Sequence, residues 1–415
     1  MSLDYIVIMG LPPLHILYIC QYFPPEMGAP AARAYEFSTR WVKAGHRVTV
    51  ICGIPNHPTG VVQPGYRRQW RKKEIIDGVE VHRMWVYVTP NSGTLKRSLN
   101  YLSFGVTAVL GALRLRHVDV CIASTPQFFA GLAGTVLRTL KRLPLLLEVR
   151  DLWPDSIEAV QVHKGGVVIS LLRRVERFMY RSADRIVVVS PAFRAHIEGT
   201  NIPPESIRVV PNGVNTALFA PAQRGDRRVL HDLDGRFIVA YIGTHGLAHA
   251  LETAVDAATL LQDQSDIHFL FAGEGARKAA LKEYAGDAQN ITFLDQLPRS
   301  EIAVLLGEID VALVLLRDTP LFATVIPSKM FEIMGTGVPM ILGVRGQACD
   351  ILHEAGAGIA IEPENARQLA DAVLRLRDDP AFAAQCGKNA FLHVRKQYDL
   401  DQLARNYLDI IASMP

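Results

Sequence analysis

Ile326-Pro327-Ser328-Lys329-Met330-Phe331-Glu332-Ile333-Met334-Gly335-Thr336-Gly337-Val338-Pro339 is the stretch from which the 415-residue chain is best read. It follows an apolar run at 310–316, a predicted strand, and a loop. Ser328 after Pro327 reads as a helix N-cap, Gly335 and Gly337 as the stop, and 338–342 as the next strand. Lys329 then stands in the first helical turn, beside unpaired N–H groups and the positive end of the helix dipole. That is a place for phosphate. Glu332 lies three residues on, on the same side, where a carboxylate can accept hydrogen bonds from a ribose diol. Alone, the stretch fits equally well a short helix with an exposed Lys–Glu pair.

Moving outward, 15–20 (HILYIC) predicts a buried strand, 22–30 a loop holding Gly28 and Ala29, 31–44 a helix ended by Gly45-His46, and 47–52 a second strand. Strand, glycine loop, helix, strand is a βαβ unit of a parallel sheet. Further strands are predicted at 79–85, 119–123, 145–149, 185–190 and 207–210. Arg150-Asp151-Leu152-Trp153-Pro154-Asp155 leaves the 145–149 strand at its carboxyl end, where open parallel sheets bind ligands. There Arg150 can steady an anionic group and Asp151 can hydrogen-bond a sugar hydroxyl. The alternative is an Arg–Asp pair that only closes the loop. A second half repeats the logic: strand 237–242, the turn Gly243-Thr244-His245-Gly246, helix 250–261, strand 268–272, the turn Gly273-Glu274-Gly275, strand 290–294 and helix 300–306. His245 near a helix start is more often a neutral hydrogen-bond donor than a metal ligand.

The length suits two or three domains, and 49% hydrophobic residues supply a large core. A net charge of +3 is too small to argue for nucleic acid. Five scattered cysteines without a C-x-x-C pair argue against a disulfide framework or zinc site and fit a reducing compartment. The run 5–20 lacks a basic start and is cut by Gly10, Pro12 and Pro13. It reads as a non-native leader plus first strand, not a signal peptide.

Pro327-Ser328-Lys329 through Glu332 to Gly337-Val338-Pro339 resembles the nucleotide-sugar motif of glycosyltransferase family 4. That resemblance implies the GT-B fold, an α/β architecture of two Rossmann-like domains with parallel sheets facing a cleft. The family commonly shows two glutamates separated by seven residues. Glu332 matches the second, whereas the first falls on Thr324, a departure from the pattern. Gly28 and Ala29 resemble the first donor-contacting loop, usually two glycines. Gly273-Glu274-Gly275 resembles the turn next to the base. Where many members carry an Arg and a Lys on the donor diphosphate, this chain has Thr244 and His245, which leaves Lys329 as the phosphate cation. Arg150-Asp151-Leu152-Trp153-Pro154 resembles a branch that adds N-acetylated deoxy-sugars. Pro211-Asn212-Gly213-Val214-Asn215 is similar to the interdomain crossing, with the polar stretch 221–235 completing the linker. The implied domains are 1–213, on the acceptor side, and 214–394, on the donor side, with a closing helix at 395–413 crossing back.

The resemblance implies a retaining transfer of a sugar from a UDP-sugar to a saccharide or polyprenyl-diphosphate-linked acceptor in polysaccharide or O-antigen synthesis. No metal or other cofactor is expected. Ser328, Lys329, Glu332, Gly28, Ala29, Gly243, Thr244, His245, Gly273 and Glu274 are expected at the donor, and Arg150 and Asp151 with Lys329 at the reaction. Three basic tracts, 67–73 (RRQWRKK), 96–117 and 171–185, fit either an anionic membrane surface or helices with a solvated basic back. The expected location is the cytoplasm, peripheral on the inner face of its membrane. The rivals are a non-hydrolysing UDP-sugar 2-epimerase and a catalytically silent partner with the same fold.

Overall fold

The computed structural model describes residues 12–26, 28–57, 60–89, 94–125, 127–154, 166–221, 233 and 235–414. Most of the expected leader (1–11) and of the 221–235 linker, and Asp155, lie outside the described residues, as does the side chain of Arg97. The chain forms two compact units, Met1–Pro211 with Asp401–Pro415, and Asn212–Leu400.

The first unit holds β1 (His15–Ile19), β2 (Arg47–Gly53), β3 (Arg71–Ile76), β4 (Val79–Met84), β5 (Val120–Ser124), β6 (Leu145–Val149), β7 (Arg185–Val188) and β8 (Ile207–Val209). They make one sheet in the order β3-β4-β2-β1-β5-β6-β7-β8. Its strands pair in parallel except β3, which is antiparallel to β4. Helices α1 (Ala29–Lys43), α2 (Thr94–Ala112), α3 (Phe128–Lys141), α4 (Val167–Ser182) and α5 (Pro191–Glu198) connect them. β1, β5 and β6 are buried at every position, as strands covered on both faces must be. α1 opens with Pro30 in its first turn, where no N–H is needed, and buries Ala31, Ala34, Phe37 and Trp41.

β3 was not among the expected strands. Its alternation of exposed and half-buried positions, with Arg71, Lys72, Lys73 and Glu74 in its first four places, suits a solvent-facing edge and hides it from an apolar count. The last three residues of the tract 67–73 belong to this edge strand, with Arg71 and Lys73 exposed.

The second unit holds β9 (Phe237–Ile242), β10 (Ile267–Ala272), β11 (Ile291–Leu294), β12 (Val311–Leu315), β13 (Met340–Gly343) and β14 (Gly358–Ala360), all parallel, in the order β11-β10-β9-β12-β13-β14. Its helices are α6 (Glu252–Leu260), α7 (Lys278–Ala285), α8 (Arg299–Glu308), α9 (Lys329–Thr336), α10 (Gln347–Ala355), α11 (Ala366–Asp378) and α12 (Pro380–Gln397). A 3-10 turn, Leu247–His249, precedes α6, so that helix starts later than expected. The single closing helix expected at 395–413 is instead the end of α12, a break at Tyr398 and Asp399, and α13 (Leu400–Ala412). The break is used: Val214 bridges to Asp399, and the Thr216 hydroxyl donates to the Asp399 carboxylate at 2.5 Å.

α13 completes the first unit's core. Trp41 Nε1 donates to the Ala404 carbonyl at 3.2 Å, and the buried Tyr407 ring packs 5.2 Å from Trp41 and 5.4 Å from Phe37.

Candidate active site

In the first unit, Gly28 takes a φ of 129° as the N-cap of α1, a conformation closed to residues with a Cβ. Ala29 follows as the first helical residue, and its carbonyl accepts from Arg150 Nη2 at 3.2 Å. The sequence-predicted Gly28–Ala29 turn and Arg150 are therefore neighbours. The Arg150 backbone N–H donates to Thr125 Oγ1 at 3.1 Å, while its Nε is sealed from solvent without a partner. Burial lowers the Arg150 pKa from the ordinary guanidinium value. Asp151 is half-buried just beyond it, at the carboxyl end of β6.

Beneath them lies a polar cluster that sequence reading did not single out. Glu148, fully buried in β6, accepts from Arg33 Nε (2.9 Å), Tyr18 Oη (2.7 Å), Ser124 Oγ (2.7 Å) and Tyr407 Oη (3.4 Å). Burial alone would raise its pKa, but the Arg33 and Arg150 charges and these hydrogen bonds hold it below the ordinary carboxylate value. Arg33 also reaches the carbonyls of Val210 (3.0 Å) and Pro211 (2.7 Å). A glutamate inside an apolar strand, LLLEV, is the one signal that could have marked it.

Glu26 was also missed. It is 3% exposed, and its Oε1 accepts the backbone N–H groups of Asn56 and His57, both at 3.0 Å. Its Oε2 is buried without a partner, and burial pushes its pKa up to about 7.

In the second unit, the turns after β9 and β10 are laced together. Gly243 N–H donates to Ala272 O and His245 N–H to Glu274 O, both at 2.9 Å. Gly273 has a φ of 141°, and a Cβ there would stand 2.0 Å from the Gly243 oxygen, so the position requires glycine. His245 is completely buried with neither ring nitrogen hydrogen-bonded, and burial lowers its pKa to about 4. His245 was expected as a neutral hydrogen-bond donor, and neither of its ring nitrogens finds an acceptor within the protein. Thr244 offers its carbonyl to Tyr241 Oη at 2.8 Å. Glu274 is committed to Lys278, whose Nζ lies 2.6 Å from Glu274 and 2.7 Å from Asp295.

Lys329 begins α9, and its Nζ reaches back over this pair of turns. The amine is sealed while the stem is half-exposed, and it has no hydrogen-bond acceptor. It sits 3.8 Å from the centroid of the Tyr241 ring and close against Gly243, where an added Cβ would come within 2.6 Å of it. Burial lowers its pKa to about 7, with Glu332 acting weakly the other way. Glu332 stays half-exposed and pairs with Arg299 of α8 at 3.2 Å, while Arg299 lies over the Phe219 ring. Ser328 occupies the N-cap position but does not cap with its side chain, because its backbone is already helical (φ −59°, ψ −29°). Gly335 is inside the helix, pressed on Phe219, and Gly337 alone stops it in the left-handed region. The Thr324 hydroxyl is taken by the Leu321 carbonyl at 2.8 Å.

Among the described residues no group of three or more His, Cys, Asp or Glu side chains is placed to hold a metal, and no helix is long and apolar enough to cross a membrane. Two stripes of exposed apolar residues do occur. One runs along α2 through Leu99, Leu102, Val106 and Leu110, and on to Leu113 just past its end. The other runs along α4 through Val167, Val168, Leu171 and Phe178, flanked by exposed Arg173, Arg174, Arg177 and Arg181. Neither helix carries an exposed carboxylate, Glu176 being buried.

Comparison with known proteins fits this architecture. A family model described as a glycosyl transferase 4-like domain matches residues 28–213, and one described as glycosyl transferases group 1 matches residues 223–393. The chain is 28% identical over 346 residues to WcaI of Escherichia coli, named as a candidate colanic acid biosynthesis glycosyl transferase, covering 79% of this chain and 84% of that one. Sucrose-phosphate synthase of Thermosynechococcus elongatus superposes with a TM-score of 0.74 at 19% identity, over 96% of this chain and all of the other (100%). HepE of Anabaena, solved with UDP and glucose, gives 0.72 at 16%, over 96% and 99% of the two chains. With two parallel α/β units and family models spanning most of its length, the chain belongs to the glycosyltransferases of GT-B fold.

Proposed function

We infer that the protein moves a sugar from a UDP-sugar, with retention, onto a saccharide or polyprenyl-diphosphate-linked acceptor during polysaccharide assembly. The observation that carries the donor side is the buried, unpartnered Lys329 amine at the start of α9, above the Gly243 and Gly273 turns. A buried amine without an acceptor lacks its counter-charge, and the diphosphate of a nucleotide-sugar supplies one. Glu332, on the same side of α9 and still half-exposed, takes the ribose diol. Thr244, His245 and Glu274 complete the donor set of the second unit.

The leaving diphosphate acts as base toward the acceptor hydroxyl, so no covalent nucleophile is needed. The protein's task is to stabilise the charge that grows on that diphosphate, and Lys329 with the α9 N–H groups does so without a protein-held metal. On the acceptor side Asp151 orients a sugar hydroxyl, and Arg150 steadies an anionic group. The basic, apolar-striped α4 and the apolar face of α2 lie on an anionic membrane where a lipid-linked acceptor resides. The bound UDP and glucose of HepE and the polysaccharide role in the name of WcaI support this reading.

The test is a thermal-shift screen against UDP-, GDP- and TDP-sugars. A true donor raises the melting temperature by mass action. The expected result is a shift with UDP-sugars above that with the others. A shift confined to another base overturns the UDP assignment. Isomerised UDP-sugar formed without acceptor would favour the epimerase.

A further inference from the structure

We propose that a cavity between the β3–β4 hairpin and the carboxyl ends of β2 and β4 is a saccharide subsite, holding a part of the acceptor remote from the reacting hydroxyl. This rests on the glycosyl-transfer reading above. The cavity has a volume of about 260 Å³, and its lining includes Ile54, Tyr66, Arg68, Gln69, Trp70 and Trp85. Trp70 and Trp85 stack, with ring centroids 5.0 Å apart and planes at 29°. The Trp85 N–H donates to the Trp70 carbonyl at 3.0 Å, which extends the hairpin ladder by one rung and fixes both residues. Trp70 is nevertheless 72% exposed. A large aromatic held in water forgoes burial that a folded chain ordinarily gains, and such residues mark binding surfaces.

The polar groups narrow the ligand class. Tyr66 is held in place by Glu74, 3.2 Å from its hydroxyl, and by the Lys72 amine 4.1 Å over its ring. Arg83, which faces the same ring, is paired with Glu74 at 2.7 Å. Lys72 and Arg83 are thus both turned toward the one Glu74 carboxylate, and Arg68 is the cation on the cavity wall itself. Arg68 adopts a φ of 59°, rare for a residue of its size, and the outlier falls on the cavity wall. A wall of two indoles with an amide, a guanidinium and a phenol around it suits a ligand with one apolar face and a rim of hydroxyls. A pyranose is such a ligand: its C–H face stacks on an indole while its hydroxyls bond at the rim.

The position agrees. Ile54 follows β2, and Arg150 and Asp151 follow β6, at the same carboxyl edge of the sheet. β1 and β5 lie between them, so Ile54 is three strand spacings away, about 14 Å, and Trp85, which follows β4, is four, about 19 Å. An acceptor of several sugars spans that distance, whereas a single sugar does not.

The experiment compares the wild-type full chain with Trp70→Ala and Trp70→Phe. Maltotriose, cellotriose and chitotriose are the saccharide probes and farnesyl monophosphate the lipid probe, followed by ligand-detected NMR and tryptophan emission. At least one trisaccharide is expected to bind the wild type. Trp70→Ala should weaken it by about tenfold, and Trp70→Phe by less than about threefold. UDP affinity, titrated separately, should be the same in all three. No trisaccharide binding to the wild type overturns the proposal. So does equal binding by Trp70→Ala, or farnesyl monophosphate alone perturbing Trp70. Loss of UDP binding in every form sinks the donor assignment instead, and it shows in a different titration.

Discussion

The Lys329 amine stands 3.8 Å from the centroid of the Tyr241 ring and has no hydrogen-bond acceptor. A ring face is a weak counter-charge, and burial brings the amine's pKa down to about 7. At pH 8 the free protein therefore holds Lys329 mostly neutral, and an arriving diphosphate favours the ammonium form. UDP binding at pH 8 should take up a proton, seen as a calorimetric heat that varies with the buffer's ionisation enthalpy. Lys329→Met should abolish most of that uptake and lower turnover by more than it lowers UDP-sugar affinity, because charge on the diphosphate grows as the bond breaks. Buffer-independent heats would remove Lys329 from the diphosphate.

The same shift affects stability. The unfolded lysine titrates near 10.5 and the folded one near 7. Between those values the unfolded chain binds the proton that the folded chain lacks, so stability rises with pH across that window. Below it both states are charged, and the folded state bears the burial cost in full. Lys329→Met should raise the melting temperature of the second unit more at pH 6 than at pH 9, by roughly 5–10 °C.

Glu26 has the opposite sign. Its folded pKa of about 7 lies above the unfolded 4.5, so the folded state holds an extra proton between them and loses stability as pH rises through the window. Glu26→Gln keeps an oxygen for the Asn56 and Asn56-adjacent His57 N–H groups and removes the charge. Melting at pH 8.5 should show a gain of about 1–3 kcal/mol, and melting at pH 5 almost none. Equal effects at both pH values would place the cause elsewhere.

Asp151→Asn keeps the shape and removes the charge. If Asp151 orients the acceptor, turnover falls by about 10²-fold or more while the melting temperature hardly moves. Full activity in the folded variant would return Arg150 and Asp151 to loop closure.

Glu332→Gln leaves Arg299 an oxygen to bond and weakens the ribose contact. The ribose is unchanged along the reaction, so the loss should fall on UDP-sugar binding, by about 1–3 kcal/mol, with turnover at saturation nearly kept.

The α4 surface should float with anionic vesicles and release in salt. Replacing Arg173, Arg174 and Arg177 by Gln should cost about 1 kcal/mol each. Binding indifferent to lipid charge and salt would remove the membrane from the proposal.

Much of the fold was legible because buried parallel strands announce themselves as apolar runs: HILYIC, LLLEV and FIVAYI fall on β1, β6 and β9. β3 did not, because an edge strand is selected for charge and alternation rather than hydrophobicity. Lys329 and Glu332 were legible from spacing on one helix. Their partners were not. Tyr241 lies some ninety residues upstream in β9, and Arg299 on α8, and only tertiary packing brings them near. The buried states of Glu26 and Glu148 likewise depend on elements distant in sequence.

The first unit is closed by residues 401–412, through the Trp41 bond to Ala404 and the packing of Tyr407. Domains commonly fold in the order in which the ribosome releases them. Here that order is inverted. A nascent chain of 400 residues carries the whole second unit, yet its first unit still lacks the helix that covers Trp41 and the hydroxyl that reaches Glu148. The half made first must wait, with an apolar face open to chaperones, until the half made second has been translated. A premature stop just before residue 401 would therefore damage the amino-terminal unit and spare the one beside the stop.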